Sequence, residues 1–413
     1  LSDTGTIVRI LYLCQRVPYP PDRGDRIPVF HQIRRLSRNH EVVVGSLSHG
    51  GSHANARMLE KELAVRVIAP AHSRFRSAIE MALAFLQGKP LSLGYFHNSA
   101  LRAAVNAELR NRHYDAIIVF SSSMAQYVEH IADVPRIMHF CDVDSQKWSS
   151  MAREAHGVLR WIYGRESRLM LKFERRIAGS FEASCVVSHN EADVFRKHIP
   201  GIPVHILENG VDIDFFAAVP RSPEGVRIVF VGVMDYPPNV EAVSFFATSV
   251  WNRIRAAHPE ARFIIVGSRP VKKVRALAGI PGVEVTGYVS DVRTYLSSAA
   301  VSIAPLAIAR GVQNKILEAM AAGVPVLTTP AAAEGLPEGA AQHVIVAGRE
   351  PDSFAAALLE MLSNRTAMEE MGRKGQEFIR QNCTWEVKLR ALDTLLQTIT
   401  GDSKLSRTQE TGS

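Results

Sequence analysis

Between residues 304 and 327 the chain sets two basic side chains and one carboxylate around what reads as the start of a helix. The segment runs Ala304-Pro305-Leu306-Ala307-Ile308-Ala309-Arg310-Gly311-Val312-Gln313-Asn314-Lys315-Ile316-Leu317-Glu318-Ala319-Met320. An apolar strand ends near Ala304, a glycine-bearing loop follows, and a helix is predicted to open near Val312. A helix N-terminus presents unpaired backbone N–H groups and the positive end of the peptide dipoles, so it suits a phosphate. Arg310 and Lys315 flank that end and would add charge to it. Glu318 stands one turn beyond Lys315, where its carboxylate could accept both hydroxyls of a ribose. The plainer reading of Lys315 and Glu318 is a surface i, i+3 pair, stabilising the helix by roughly 0.2–0.5 kcal/mol.

Such residues need a sheet to hold them. Short apolar, β-branched runs alternate with longer amphipathic stretches, the sequence form of a parallel α/β sheet. In the first half, strands are predicted at 7–13, 41–46, 64–68, 116–120, 136–140 and 183–188, with helices at 27–39, 99–112 and 161–180. The pattern pauses at Pro200-Gly201-Ile202-Pro203. A second series then places strands at 227–231, 262–266, 283–286, 301–304, 325–328 and 343–346. Helices at 240–256, 292–299, 314–321 and 353–363 alternate with them. Beyond residue 368, 373–399 reads as helical with a break near Asn382-Cys383-Thr384, and the polar end, 401–413, as disordered. Two α/β series split by a Pro/Gly break imply two nucleotide-binding-type domains with a cleft between them.

A chain of 413 residues exceeds what one core usually organises, which agrees with two domains. Cys14, Cys141, Cys185 and Cys383 are scattered and form no CxxC pair, arguing against a zinc site or a disulfide framework. The longest membrane-span candidate, 78–86, has Glu80 inside it, and 1–16 shows no charged-then-apolar leader pattern. The plain reading is cytoplasmic. Charge is uneven: residues 1–200 hold 27 Lys+Arg against 19 Asp+Glu, and the remainder 21 against 22. A basic first half suits an anionic acceptor or the inner face of an anionic cell membrane, or is ordinary solvated surface. Nucleic acid is disfavoured, because the basic residues are dispersed and not interleaved with aromatics. Within the first half, 72–90 reads either as a basic amphipathic segment touching lipid or as a helix packed on its domain.

The segment 305–327 resembles the donor-site segment of the retaining glycosyltransferases of family 4. Glu318-Ala319-Met320-Ala321-Ala322-Gly323-Val324-Pro325-Val326 matches the second half of that family's hallmark. The hallmark's first Glu is replaced by Arg310, as in the branch reading Arg-Gly-x-x-Asn-Lys-x-x-Glu-Ala-Met. Pro20-Pro21-Asp22-Arg23-Gly24-Asp25-Arg26-Ile27 and Asp142-Val143-Asp144-Ser145 are similar to the sugar transferases of exosortase-linked exopolysaccharide clusters. The resemblance spans the chain to about residue 400. It implies the GT-B fold, two Rossmann-like domains facing across a cleft: 1–203 on the acceptor side, 204–375 binding the donor, and 376–400 returning to the first domain. It also implies that Leu207-Glu208-Asn209-Gly210-Val211-Asp212 marks the junction, where Asn-Gly is also a good turn.

The same resemblance implies the site. Arg310, Lys315 and Glu318 would carry the chemistry, together with Asp142 at the edge of the first domain. Gly232, Asn239, Gly267, Tyr288, Gly311 and Asn314 would join Lys315 and Glu318 in holding the donor. Gly232 would let backbone approach the diphosphate, and Asn239 matches the branch's Pro-Asn pair, though Pro237-Pro238 also suits a helix start. Gly24, Asp25, Arg26 and Asp144 would form the acceptor loop; Asp25 reads equally as a helix cap with Pro28 in the first turn, and a strand-end Asp142 or Asp144 as another cap. His139, near which many relatives carry a sugar-contacting histidine, sits inside a strand and could face either side.

No cofactor is expected. The donor would be UDP- or GDP-linked and the acceptor a glycan or polyprenyl-linked sugar, with transfer proceeding with retention and without a metal. Asp142-Val143-Asp144 has metal-bridging spacing but lies in the acceptor half and reads as coincidental. Two alternatives are weighed: a GT-B nucleotide-sugar epimerase, and a non-catalytic sugar-nucleotide or polysaccharide binding protein. A dehydrogenase is disfavoured, since no GxGxxG follows 7–13 or 227–231.

Overall fold

The computed structural model describes residues 7–22, 24–49, 53–309 and 312–410, with side chains through 401. The chain divides into two compact units, Leu1–Asn209 with Leu389–Ser413, and Gly210–Lys388. In the first, β1 (Arg9–Leu13), β2 (Glu41–Gly45), β3 (Arg66–Ile68), β4 (Ala116–Phe120), β5 (Arg136–Cys141), β6 (Ala183–Val186) and β7 (Val204–Ile206) form one sheet. Its order is β3-β2-β1-β4-β5-β6-β7, and every pairing is parallel. In the second, β8 (Arg227–Val231), β9 (Arg262–Val266), β10 (Val283–Gly287), β11 (Val301–Ala304), β12 (Val326–Thr328) and β13 (Ile345–Val346) pair in the order β10-β9-β8-β11-β12-β13. These too are all parallel.

Parallel neighbours require crossovers, and the intervening helices cover both sheet faces. The central strands β1 and β8 are therefore apolar along nearly their whole length instead of alternating: Ile10, Leu11, Tyr12 and Leu13 are all buried, as are Ile228, Val229 and Phe230. Each unit has its own core, one around Leu11, Val119 and Phe140, the other around Phe230, Trp251 and Phe263. In both sheets the strand order reverses once, between β1 and β4 and between β8 and β11. A crevice opens beyond the C-terminal strand ends at such a switch point, and loops there can reach a ligand.

Several boundaries differ from the sequence reading for local reasons. β3 starts at Arg66, because Ala64 takes φ 52° and interrupts the extended run. The helix predicted at 240–256 begins at Pro237, whose fixed φ suits a first turn, and carries a π-helical turn at Phe246–Val250. The first unit extends past Pro203, since β7 pairs with β6. The Arg365–Asn382 helix belongs to the second unit, and the chain rejoins the first at Leu389. There Arg35 holds Asp393 at 2.7 Å, beside buried Leu392 and Leu396. The last helix, Arg390–Glu410, continues through residues expected to be disordered; a helix once nucleated propagates at one hydrogen bond per residue. Among the described residues, no helix is long and apolar enough to cross a membrane.

Candidate functional site

At the switch point of the second unit, the loop after β8 and the helix after β11 meet. The helix spans Asn314–Ala321, and the Gln313 side chain does not cap it. The loop feeding it is held from below: Thr328 and Thr329 hydroxyls donate to the carbonyls of Ala304 and Leu306 (3.1 and 2.7 Å), and Arg349 donates to that of Pro305 (3.0 Å). Lys315 does not turn to Glu318. Its ammonium donates to Asn239 Oδ1 at 2.6 Å and stands 4.9 Å from the centroid of the Phe230 ring. Asn239 is buried, and its Nδ2 donates to the Val233 carbonyl at 2.9 Å, which fixes the amide with its oxygen toward the lysine. Pro237 and Pro238 do start a helix, as the plainer reading of this segment expects.

Burial lowers the Lys315 pKa to about 8, with the Glu318 charge opposing that fall. Burial also raises the Glu318 carboxyl to about 7, against the pull of Lys315. Two glycines let the strand ends close on these groups. A Cβ on Gly232 would lie 2.7 Å from Asn239 Nδ2, and one on Gly267 would overlap the Gly232 carbonyl. Gly232 is thus needed first for packing within the protein. Asn314 is exposed at the start of the helix. Tyr288, after β10, is 80% exposed and makes no hydrogen bond to these residues. Arg310 and Gly311 lie outside the described residues.

The switch point of the first unit has different contents. Gln15, just past β1, donates to the Ser121 and Ser123 hydroxyls at 2.7 and 2.8 Å. Ser121 takes φ 78°, and Cys141, at the end of β5, takes φ 65°. Beyond it Asp142 is exposed, while the partly buried Asp144 accepts from the Ser122 hydroxyl. Neither aspartate is a helix cap: the Asp144–Glu154 helix has Val143 at its N-cap, with no side-chain bond. Burial raises the Asp144 carboxyl, with Ser122 opposing. Glu174, buried in the Gly157–Ser180 helix, accepts from Ser145 N–H at 3.1 Å, and its other oxygen has no partner. Burial pushes its carboxyl up to about 8, so it holds a proton at neutral pH.

In the expected acceptor loop, Asp25 does not cap the Ile27–Leu36 helix; it pairs with Arg16 at 3.2 Å, which wins its carboxylate. Arg26 pairs with Asp22 at 3.1 Å, and Gly24 is exposed with open space around it. His139 faces the core. Its Nδ1 lies 3.2 Å from Gln32 Nε2, and Gln32 Oε1 accepts from the Tyr12 hydroxyl at 2.7 Å. Burial lowers its pKa to about 3, so it stays neutral and inside.

A family model described as glycosyl transferases group 1 matches residues 225–364, the span that holds the second sheet and its switch point. Solved structures share the architecture of the whole chain. HepE from Anabaena, solved with UDP and glucose, aligns with a TM-score of 0.63 at 14% identity, covering 94% of this chain and 99% of that one. WaaG, a glycosyltransferase involved in lipopolysaccharide biosynthesis, aligns at 0.62 and 16%, covering 95% and 100%. The chain has the GT-B fold. Its second unit carries a group 1 glycosyltransferase domain. An uncharacterised 44.6 kDa protein of the Klebsiella pneumoniae cps region is 20% identical over 390 residues, spanning 91% of this chain and 96% of its own length.

Within the glycosyltransferase domain, the structure brings Gly232, Asn239, Gly267, Lys315 and Glu318 to one switch point and leaves Tyr288 on the surface. Sequence reasoning missed Phe230, whose ring lies under Lys315, and Arg349, which steadies the loop before the helix. In the first unit it missed Gln15, Ser121–Ser123 and Glu174. Three serines directly after an all-apolar strand were a readable signal; Glu174, inside a long amphipathic helix, had none. Among the described residues no group of three metal-ligating side chains stands together.

Proposed function

We propose that the chain transfers a sugar, with retention at its anomeric carbon, from a nucleoside diphosphate sugar to a hydroxyl of a glycan or lipid-linked acceptor. The carrying observation is the Lys315 ammonium, held by Asn239 at the glycosyltransferase domain's switch point, with Glu318 one turn along the same helix. In the transfer, the bond from the sugar carbon to the diphosphate oxygen breaks and a bond to the acceptor oxygen forms. Negative charge grows on the departing diphosphate, whose oxygen takes up the acceptor's proton as the new bond forms. A cation with one neutral hydrogen-bond partner, beside a helix N-terminus, stabilises that charge without a metal ion. Glu318, one turn further, accepts hydroxyls of the nucleoside.

The first unit's hydroxyls and carboxyls, with Asp142 and Asp144 at the strand end, are the groups we assign to the acceptor and the transferred sugar. HepE was solved with UDP, which supports a nucleoside diphosphate as the carrier of the donor sugar. The resemblance to retaining family 4 enzymes of exopolysaccharide clusters and the likeness to a cps-region protein support a role in cell-surface polysaccharide assembly. The test is thermal unfolding with UDP, GDP, ADP and their sugar conjugates, with and without EDTA. A selective rise in Tm that survives EDTA is expected. No shift with any nucleotide, or one abolished by EDTA, would overturn the metal-free donor site.

A further inference from the structure

The Arg74–Leu86 helix packs with its faces reversed from the usual order. Its inward residues are small: Ser77 and Ala84 are buried, and Gly94 presses so close that a Cβ there would lie 2.8 Å from Met81 Cα. Its large apolar residues face solvent. Phe75, Ile79, Leu83 and Leu86 follow a helical i, i+4, i+8, i+11 stripe, and Phe75 and Leu86 are 75% and 80% exposed. Beside it, the first turns of the Gly157–Ser180 helix expose Val158, Leu159 and Trp161. The two patches are one surface. Phe85 and Trp161 rings meet edge to face at 6.1 Å, and Arg165 lies 4.5 Å over the Phe85 ring while donating to the Phe85 carbonyl at 3.1 Å.

Charge decides what this surface fits. Arg74, Arg76, Arg160 and Arg168 rim it, and none of them makes an ion pair among the described residues. The nearby carboxylates are engaged elsewhere: Glu80 holds His97 at 3.1 Å, and buried Glu166 accepts from Leu91 and Ser92 N–H at 2.6 and 2.8 Å. Glu154 is the exposed exception. Arg160 and Arg168 also line, with Ser149 and Ser167, an open groove of about 570 Å³ next to Trp161. We propose that the first unit docks on an anionic phospholipid bilayer through this two-helix face, with Phe75, Leu86 and Trp161 entering the interface and the arginines meeting lipid phosphates. An apolar stripe edged by unpaired cations matches hydrocarbon lying beneath a layer of phosphates. Tryptophan suits that boundary, being apolar in body and polar at one end. A second copy of the chain would set these cations against one another. This inference does not depend on the reaction proposed above.

The test is flotation of the full chain with vesicles of phosphatidylcholine alone or with about 30% phosphatidylglycerol, at about 0.1 M salt. The chain is expected to float with the anionic vesicles and not the neutral ones. Phe75→Glu with Leu86→Glu should cut the bound fraction at least ~5-fold, and Trp161→Ala ~2-fold, with unchanged Tm because these side chains are exposed. Brominated lipid should quench the fluorescence that Trp161→Ala removes. Absence of the chain from anionic vesicles, undiminished flotation of the double variant, or a wild-type dimer that the double variant dissolves would each overturn the proposal.

Discussion

The two switch points share one geometry and hold opposite chemistry. Beyond β8 and β11 stand a cation, a carboxyl one turn along, and two glycines whose backbones touch. Beyond β1, β4 and β5 stand an amide, serine hydroxyls and carboxyls whose pKa burial raises, that of Glu174 to about 8. The fold supplies only the place, a crevice beyond the strand ends. What fits there is decided by which side chains the loops carry and how deeply they are buried. A desolvated ammonium with one neutral partner waits for an anion; hydroxyls and an amide suit the hydroxyls of a sugar.

Exchanging the charges tests this contrast most strongly. Lys315→Ala and Glu318→Ala should each lower turnover more than about tenfold with thermal unfolding nearly unchanged, since neither side chain fills the core. Full activity in either variant, with donor saturating, would place the donor elsewhere. The pH dependence sharpens the same point. In the free enzyme Glu318 must lose its proton, near 7, and Lys315 must keep its own, near 8, so kcat/KM should fall on both sides of a narrow optimum. Lys315→Arg should flatten the alkaline limb, because arginine stays charged, and Glu318→Gln the acid limb, whatever their effect on rate. A profile unchanged by both would separate these residues from the reaction.

The smallest effect belongs to the first unit. Folding raises the Glu174 carboxyl from its ordinary value to about 8, so the folded chain binds the extra proton between those limits. Stability from this group is therefore complete at low pH and is lost as pH rises through about 8. Glu174→Gln mimics the protonated form and should flatten the fall of Tm between pH 5 and 8 by about 2 °C or more. A variant whose Tm tracks wild type across that range would show that Glu174 is not poised as its burial implies.

The strand, loop and helix that carry Lys315 and Glu318 were legible because they are contiguous, lying within one short segment, each with a distinct residue signature. The alternation of apolar runs with amphipathic stretches likewise determined two parallel α/β units, since strands covered on both faces must be apolar along their length. Partners distant in the chain were not legible. Asn239 is 76 residues from Lys315, and Gln15 is 106 from Ser121. Asp25 looked like a cap until Arg16 came within reach, and no local pattern told that His139 faces Gln32. The 75–86 stripe is the sharpest case. Periodicity says that a helix has an apolar face, but only packing decides which face turns inward, and here Gly94 and Ala84 approach so closely that the large side chains are left outside.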